Sequence, residues 1–180
     1  MRKIKTCKKY LFFLLIGLSF LPDVSFSQIG PPNNKTEFEK MYNRRIRQRI
    51  LNRVYIPKDM ADAFNELNKK IDAGSKAKYI SIPEEAAARK LHFSLGRWMI
   101  TNWSFYEGSR FSKYLKDIGI THPDDMAQFT MRCYHRHLSE KPLDVKPLII
   151  EIKERRKKEA DERKGGGEVI HEEKRIRPKN

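Results

Sequence analysis

Residues 98–111, WMITNWSFYEGSRF, place two Trp, two Phe and a Tyr in a short stretch of a chain that is 34% charged. Large aromatic side chains dominate core burial, so any fold of this chain has to be assembled around that segment. Trp98 and Met99 are read as the middle of a helical bundle, not as a platform for a sugar, a peptide or a nucleobase. Gly96, just before them, is expected to let a neighbour approach closely.

The rest of the pattern is helical. In IPKDMADAFNELNKKIDAG, Pro57 suits a first helical turn and Gly74 the position after a helix end. Met60, Ala63, Phe64, Leu67 and Ile71 share one sector of that helix, with Asp62, Glu66, Lys69 and Lys70 outside it. Ser81 and Glu84 have the spacing of a capping box, and the helix they open is expected to run to Trp103. Its apolar residues, Leu91, Phe93, Leu95, Trp98, Met99 and Ile100, cover most of its circumference, which predicts a central helix. After a turn through Phe105, Tyr106 and Gly108, Ser109 is expected to cap a helix facing inward with Phe111, Tyr114, Leu115 and Ile118 and ended by Gly119. A further start at residues 121–125 puts Asp124 and Asp125 against the positive end of a helix dipole. That helix runs to Leu138, with Met126, Phe129, Thr130, Cys133 and His137 inward and Arg132, His135 and Arg136 outward. Pro142 and Pro147 terminate it.

The expected fold is therefore all-α: a small bundle of about four helices over residues 55–147. Residues 36–54 are read as an Arg-rich leader helix, partly docked by Phe38, Met41, Tyr42 and Ile46. Residues 28–35 form a linker by their Gly, Pro and Asn content. Residues 148–180 read as a charged tail with little to bury, flexible from about residue 165.

The N-terminus indicates destination. Arg2, Lys3, Lys5, Lys8 and Lys9 precede an apolar run over residues 10–21, and the small residues Ser25 and Ser27 follow, the three-part pattern of a secretory signal peptide. A run of about a dozen residues falls short of the roughly 20 that span a bilayer, so residues 1–27 are expected to be cleaved, leaving no transmembrane helix. Cys7 precedes the apolar run and leaves with it. Cys133 then has no internal partner, and packing alone must hold the fold. Losing five basic residues and one acidic residue lowers the formal charge from +15 to +11, with the excess concentrated toward the ends. Export to the periplasm or the exterior argues against a nucleic-acid target. The basic patch of Arg44, Arg45, Arg47, Arg49 and Arg53 points instead to an envelope protein or an anionic polymer.

HFSLGRWMITNW, GSRFSKYLKDIGITHPDDM and YHRHL together resemble a family of small bacterial domains of unknown function. The resembling elements are H-F-x-L-G-x-W at residues 92–98, the pair Asn102 and Trp103, G-S-R at 108–110 and G-I-x-H-P-D-D-M at 119–126. The resemblance covers roughly residues 55–140 and implies no catalytic residues; the leader and the basic tail lie outside it.

The candidate binding residues are Trp103, Tyr106, Arg110, His122 and Asp125, around the aromatic turn. Arg110 could stack on a ring or hold a carboxylate, or could bridge structurally to a helix end or an acidic neighbour. Cys133 and His137 share a helical spacing, but a metal site would need a third ligand from His92 or His122, and no metal or other cofactor is expected. Ser109, His122 and Asp125 can be written as a triad, yet Ser109 lacks the glycines of a nucleophile elbow, and no catalytic set is assigned. A non-enzymatic interaction domain is the favoured reading. The alternative is a small hydrolase-like envelope enzyme using His122, Asp125 or Glu107.

Overall fold

A computed structural model of the protein describes residues 32–165. The signal-peptide reading, half of the linker and the tail beyond residue 165 lie outside the described residues. Within them the chain is mostly helical, as expected, with eight α-helices, one π-helical turn and one two-stranded hairpin.

The leader is shorter than predicted. Helix α1, Lys35–Arg45, is capped by Asn34, whose side chain accepts from the Glu37 amide at 2.8 Å. It stops at Arg45, so Arg47, Arg49 and Arg53 do not lie on it. Strands β1, Ile50–Leu51, and β2, Val54–Tyr55, instead pair antiparallel, with Leu51 opposite Val54. Asn52 and Arg53 both take positive φ, 48° and 65°, as a two-residue turn matched to strand twist requires. Apolar residues on either side of this turn, with Ile56 fully buried, favour the hairpin over a helix that would bury nothing there.

Helix α2, Met60–Lys70, buries Met60, Ala63, Phe64 and Leu67, as the sequence implies. It does not reach Gly74, because Ile71 is extended and Asp72 caps a separate helix, α3, Ala73–Ile80. Gly74 thus lies in the first turn of α3 and not beyond a helix end. Tyr79 of α3 donates to the Met131 carbonyl at 2.9 Å.

The predicted helix from Ser81 to Trp103 is three segments: α4, Glu84–Lys90; a π turn, His92–Gly96; and α5, Arg97–Asn102. The capping box is absent. Ser81 donates back to the Lys78 carbonyl, and the Glu84 carboxylate is engaged by Arg132 and Arg136 at 2.6 and 2.7 Å. Gly96 does admit a neighbour: a Cβ there would lie 3.2 Å from the Met131 side chain.

The central element is α7, Pro123–Leu138, against which α2 to α6, the π turn and α8 all pack. Ten of its sixteen residues are buried, among them Met126, Phe129, Thr130 and Cys133. Two side chains expected outside, Arg132 and His135, are buried as well. Arg132 is tolerated because Glu84 and Glu151 both accept from it, at 2.6 and 2.5 Å, and His135 meets the Ile82 carbonyl at 2.9 Å. Arg136 is half-buried between Glu84 and the Leu143 carbonyl. His137, expected inside, is exposed and stacks on Phe64 with ring centroids 4.6 Å apart.

Burial pushes the Glu84 carboxyl up, but hydrogen bonds and charge from Arg136 and Arg132 outweigh it and hold the carboxyl below its ordinary value. A depressed carboxyl contributes stability above its unfolded-state pKa, about 4.3, and loses it as pH falls through the lowered value. Urea unfolding should therefore show stability falling below about pH 4.3, and less steeply in Glu84→Gln. Equal slopes would take Glu84 out of the account.

Helix α6, Arg110–Asp117, has the expected Ser109 cap, with Ser112 reciprocating. Gly119, at φ 101°, follows it. Helix α8, Val145–Gly165, overturns the expectation of a tail with little to bury. Leu148, Ile149 and Ile152 are buried, and the helix packs on α7. The folded unit therefore does not end at residue 147.

Trp103 lies at the centre of the aromatic cluster, wholly buried, 5.3 Å from Phe111 and 6.3 Å from Phe105 between ring centroids. Trp98 is only partly buried, packed edge-on against Trp103 with Lys70 over its ring. Gly108 closes the aromatic turn at φ 92°, and an added Cβ would sit 2.5 Å from the Tyr42 ring of α1. Gly108→Ala should cost about 1–3 kcal/mol, from positive-φ strain and the displaced ring. Gly74→Ala, in a helix with only an Asp72 oxygen at 3.2 Å, should be near neutral. Thermal melts compare the two, and equal shifts would rule out the close approach.

Candidate functional site

The π turn carries the most exposed large apolar side chain of the described residues. Gly96 donates to the Leu91 carbonyl five residues back, at 3.0 Å, and this wider turn rotates Phe93 outward to 82% exposure. Such turns inside helices are frequent at functional sites. Tyr106, on the turn after α5, is 64% exposed. Both rings line one cavity of about 390 Å³, together with His92, Arg97, Glu107 and Asp124. A second cavity, of about 410 Å³, meets the first at His92 and Asp124 and continues past His122 toward Arg155, Arg156 and Arg163 of α8.

Asp124 sits where the two cavities meet, in the first turn of α7. His92 Nε2 and His122 Nδ1 each lie 3.5 Å from one of its carboxylate oxygens. The Asp124 amide donates to His122 Nδ1 at 3.2 Å, so in the neutral ring the proton sits on Nε2. His92 presents Nε2 to Asp124, while its Nδ1 is buried without a partner, turned toward Gly96. Neither neutral imidazole therefore offers a lone pair to the cleft, which a general base must do. Arg97, Thr101 and Tyr106 line the first cavity with side chains that make no hydrogen bond or ion pair among the described residues.

Of the candidates read from the sequence, Tyr106 and His122 come to this cleft. Asp125 borders the second cavity, but its carboxylate is clasped by Arg155 at 3.3 Å and by Arg156. Trp103 is wholly buried and lines neither cavity, so it cannot touch a ligand without unfolding. Arg110 faces away: its Nε donates to the Ile56 carbonyl at 2.7 Å, its guanidinium lies 5.0 Å over Tyr55, and Asp62 is 3.7 Å off. It is the structural bridge that pins the hairpin to α6. Ser109 is buried in its capping box, so the written triad is not assembled. Cys133 is wholly buried, its thiol pushed up to about 12 by desolvation, while His137 one turn on is exposed and stacks on Phe64. Among the described residues no three His, Cys, Asp or Glu side chains are grouped to hold a metal.

The basic patch divides. Arg44 and Arg47 line a shallow concavity with Lys40, and Arg49 and Arg53 are exposed on the hairpin. Arg45 turns inward, its Nε donating to the Gly108 carbonyl at 3.1 Å.

His92, Phe93, Arg97 and Asp124 are the cleft residues that periodicity does not select. A constant 100° per residue places Phe93 with the core, and only the π turn moves it out.

Residues 56–138 match the family model of a domain of unknown function, DUF6794. The DUF6794 match agrees with the expected resemblance over residues 55–140 and spans α2 to α7, so it contains both rings of the cleft. Helices α1 and α8 lie outside it. Comparison with curated proteins and with solved structures returns no match. No described helix is long and apolar enough to cross a membrane.

Proposed function

We propose that this is an exported cell-envelope protein whose folded domain binds its target without transforming it, and that the Phe93–Tyr106 cleft is the binding face. The observation that carries the reading is two large rings held in solvent on one cavity beside the unpaired Arg97. Exposed apolar groups gathered on one concave surface are a mark of binding sites. The sequence of residues 1–27 supports export. The exposed Arg44, Arg47, Arg49 and Arg53 support a second, electrostatic contact with an anionic envelope polymer or acidic protein surface. The enzyme reading is weaker because both imidazoles are committed elsewhere.

Replacing Phe93 or Tyr106 by a photo-crosslinking amino acid in the native cell should give adducts, while the same group at Lys78, outside the cleft, should not. Capture should weaken with salt and in a protein with Arg44, Arg47, Arg49 and Arg53 replaced by Gln. Mass spectrometry should find a mature N-terminus at Gln28. Failure of both rings to crosslink would remove the binding face, and an intact Met1 on the cell-associated protein would remove cleavage. Turnover of an envelope substrate, lost in a folded His122→Ala protein, would move the reading to the enzyme.

A further inference from the structure

Resting on that binding reading, we infer that the cleft takes an uncharged sugar segment, with ring faces against Phe93 and Tyr106 and hydroxyls on Arg97, Thr101, Glu107 and Asp124. The geometry asks for a ligand with two properties at once. One is a flat face of polarised C–H groups, because exposed aromatic rings attract such groups through the negative charge of their π faces. The other is a dense set of groups that both donate and accept, because the cavity wall sets a guanidinium donor beside two carboxylate acceptors and two hydroxyls. Sugar hydroxyls do both.

Other ligand chemistries fit less well. An apolar peptide side chain would cover Arg97, Glu107 and Asp124 without giving them partners, which is costly. In the first cavity a strongly anionic group would meet the Asp124 and Glu107 carboxylates, the latter already facing Arg45, and a strongly cationic one would meet Arg97. The cavity, about 390 Å³, lies at the lower end of the range for small-molecule sites, about 300–1,000 Å³. It opens at Asp124 into the second cavity, so a chain could continue past His122, whose Nε2–H is available to donate. His92 Nε2 lies 3.5 Å from one Asp124 oxygen, so this imidazole biases the carboxylate's orientation before any ligand arrives.

The test uses the purified protein on an array of defined neutral and acidic glycans, followed by calorimetry with the neutral oligosaccharide it retains best. Phe93→Ala and Tyr106→Ala should each weaken that binding about tenfold or more, and Arg97→Gln should weaken it as well. All three positions are exposed, so circular dichroism should be unchanged. An acidic oligosaccharide too short to pass His122 should bind more weakly than a neutral one of the same length. Retention of no neutral glycan, or retention unaffected by losing both rings, would overturn the inference. If cellular adducts at Phe93 or Tyr106 contain peptide and no sugar, the cleft binds but not a carbohydrate. If there are no adducts and no glycan is retained, both readings fall.

Discussion

Ending the chain after Pro147 should abolish cooperative folding. The cut removes Leu148, Ile149 and Ile152, all buried against the body of the protein. At about 1.5–3 kcal/mol for each aliphatic side chain, that is about 4–9 kcal/mol. It also strips Asp125 of Arg155 and Arg156, and Arg132 of Glu151. A buried charge that loses a partner costs about 3–5 kcal/mol. Together these losses are comparable with the whole stability of an ordinary domain, about 5–15 kcal/mol. A chain ended after Lys158 keeps every one of these contacts and should unfold cooperatively. Urea titrations followed by circular dichroism separate the two, and a sharp transition at an unchanged midpoint for the shorter chain would show that α8 is dispensable.

Trp103→Ala should cost about 3–5 kcal/mol, the range for emptying a large aromatic site in a core. The ring is wholly buried and touches Trp98, Phe105 and Phe111. Trp98→Ala should cost less, because that ring is partly in solvent. Trp103→Phe should also cost less than Trp103→Ala: it fills most of the space and removes an indole N–H that has no partner. Denaturant midpoints give all three. A Trp98 loss equal to that at Trp103 would mean that the partly exposed ring carries as much of the core as the buried one.

The fold class and most helix starts are legible because they rest on local chemistry. Ser109, the Pro123 start with its two carboxylates and the α2 apolar sector are each decided within a few residues. What sequence periodicity misreads is decided at long range. Arg132 looks like a solvent-facing residue until Glu84 and Glu151 arrive from helices far away in sequence, and with them the identity of the central helix changes. Residues 148–152 look like the start of a tail because charge surrounds them within the window, although only one face is needed to dock. In the cleft, Tyr106 and His122 are legible as polar and aromatic residues near a turn. Phe93 is not, since its exposure depends on one wider helical turn that no residue type announces. Arg110 is legible as an important residue, while its role is set by the Ile56 carbonyl fifty-four residues away.

Helix α1 contains no buried residue, yet it supports the turn that bears Tyr106 and Glu107. Its Tyr42 ring lies against Gly108, its Arg45 donates to the Gly108 carbonyl, and the same guanidinium lies 3.9 Å from Glu107. One wall of the cleft is thus splinted by the most lightly attached helix of the fold. Segments joined by such contacts tend to open together, and Tyr42 and Arg45 join the leader helix to the turn that bears Tyr106 and Glu107. Peeling the leader away would strip the Tyr42 and Arg45 contacts from that turn while leaving the ring contacts of Trp103 with Phe105 and Phe111 in place.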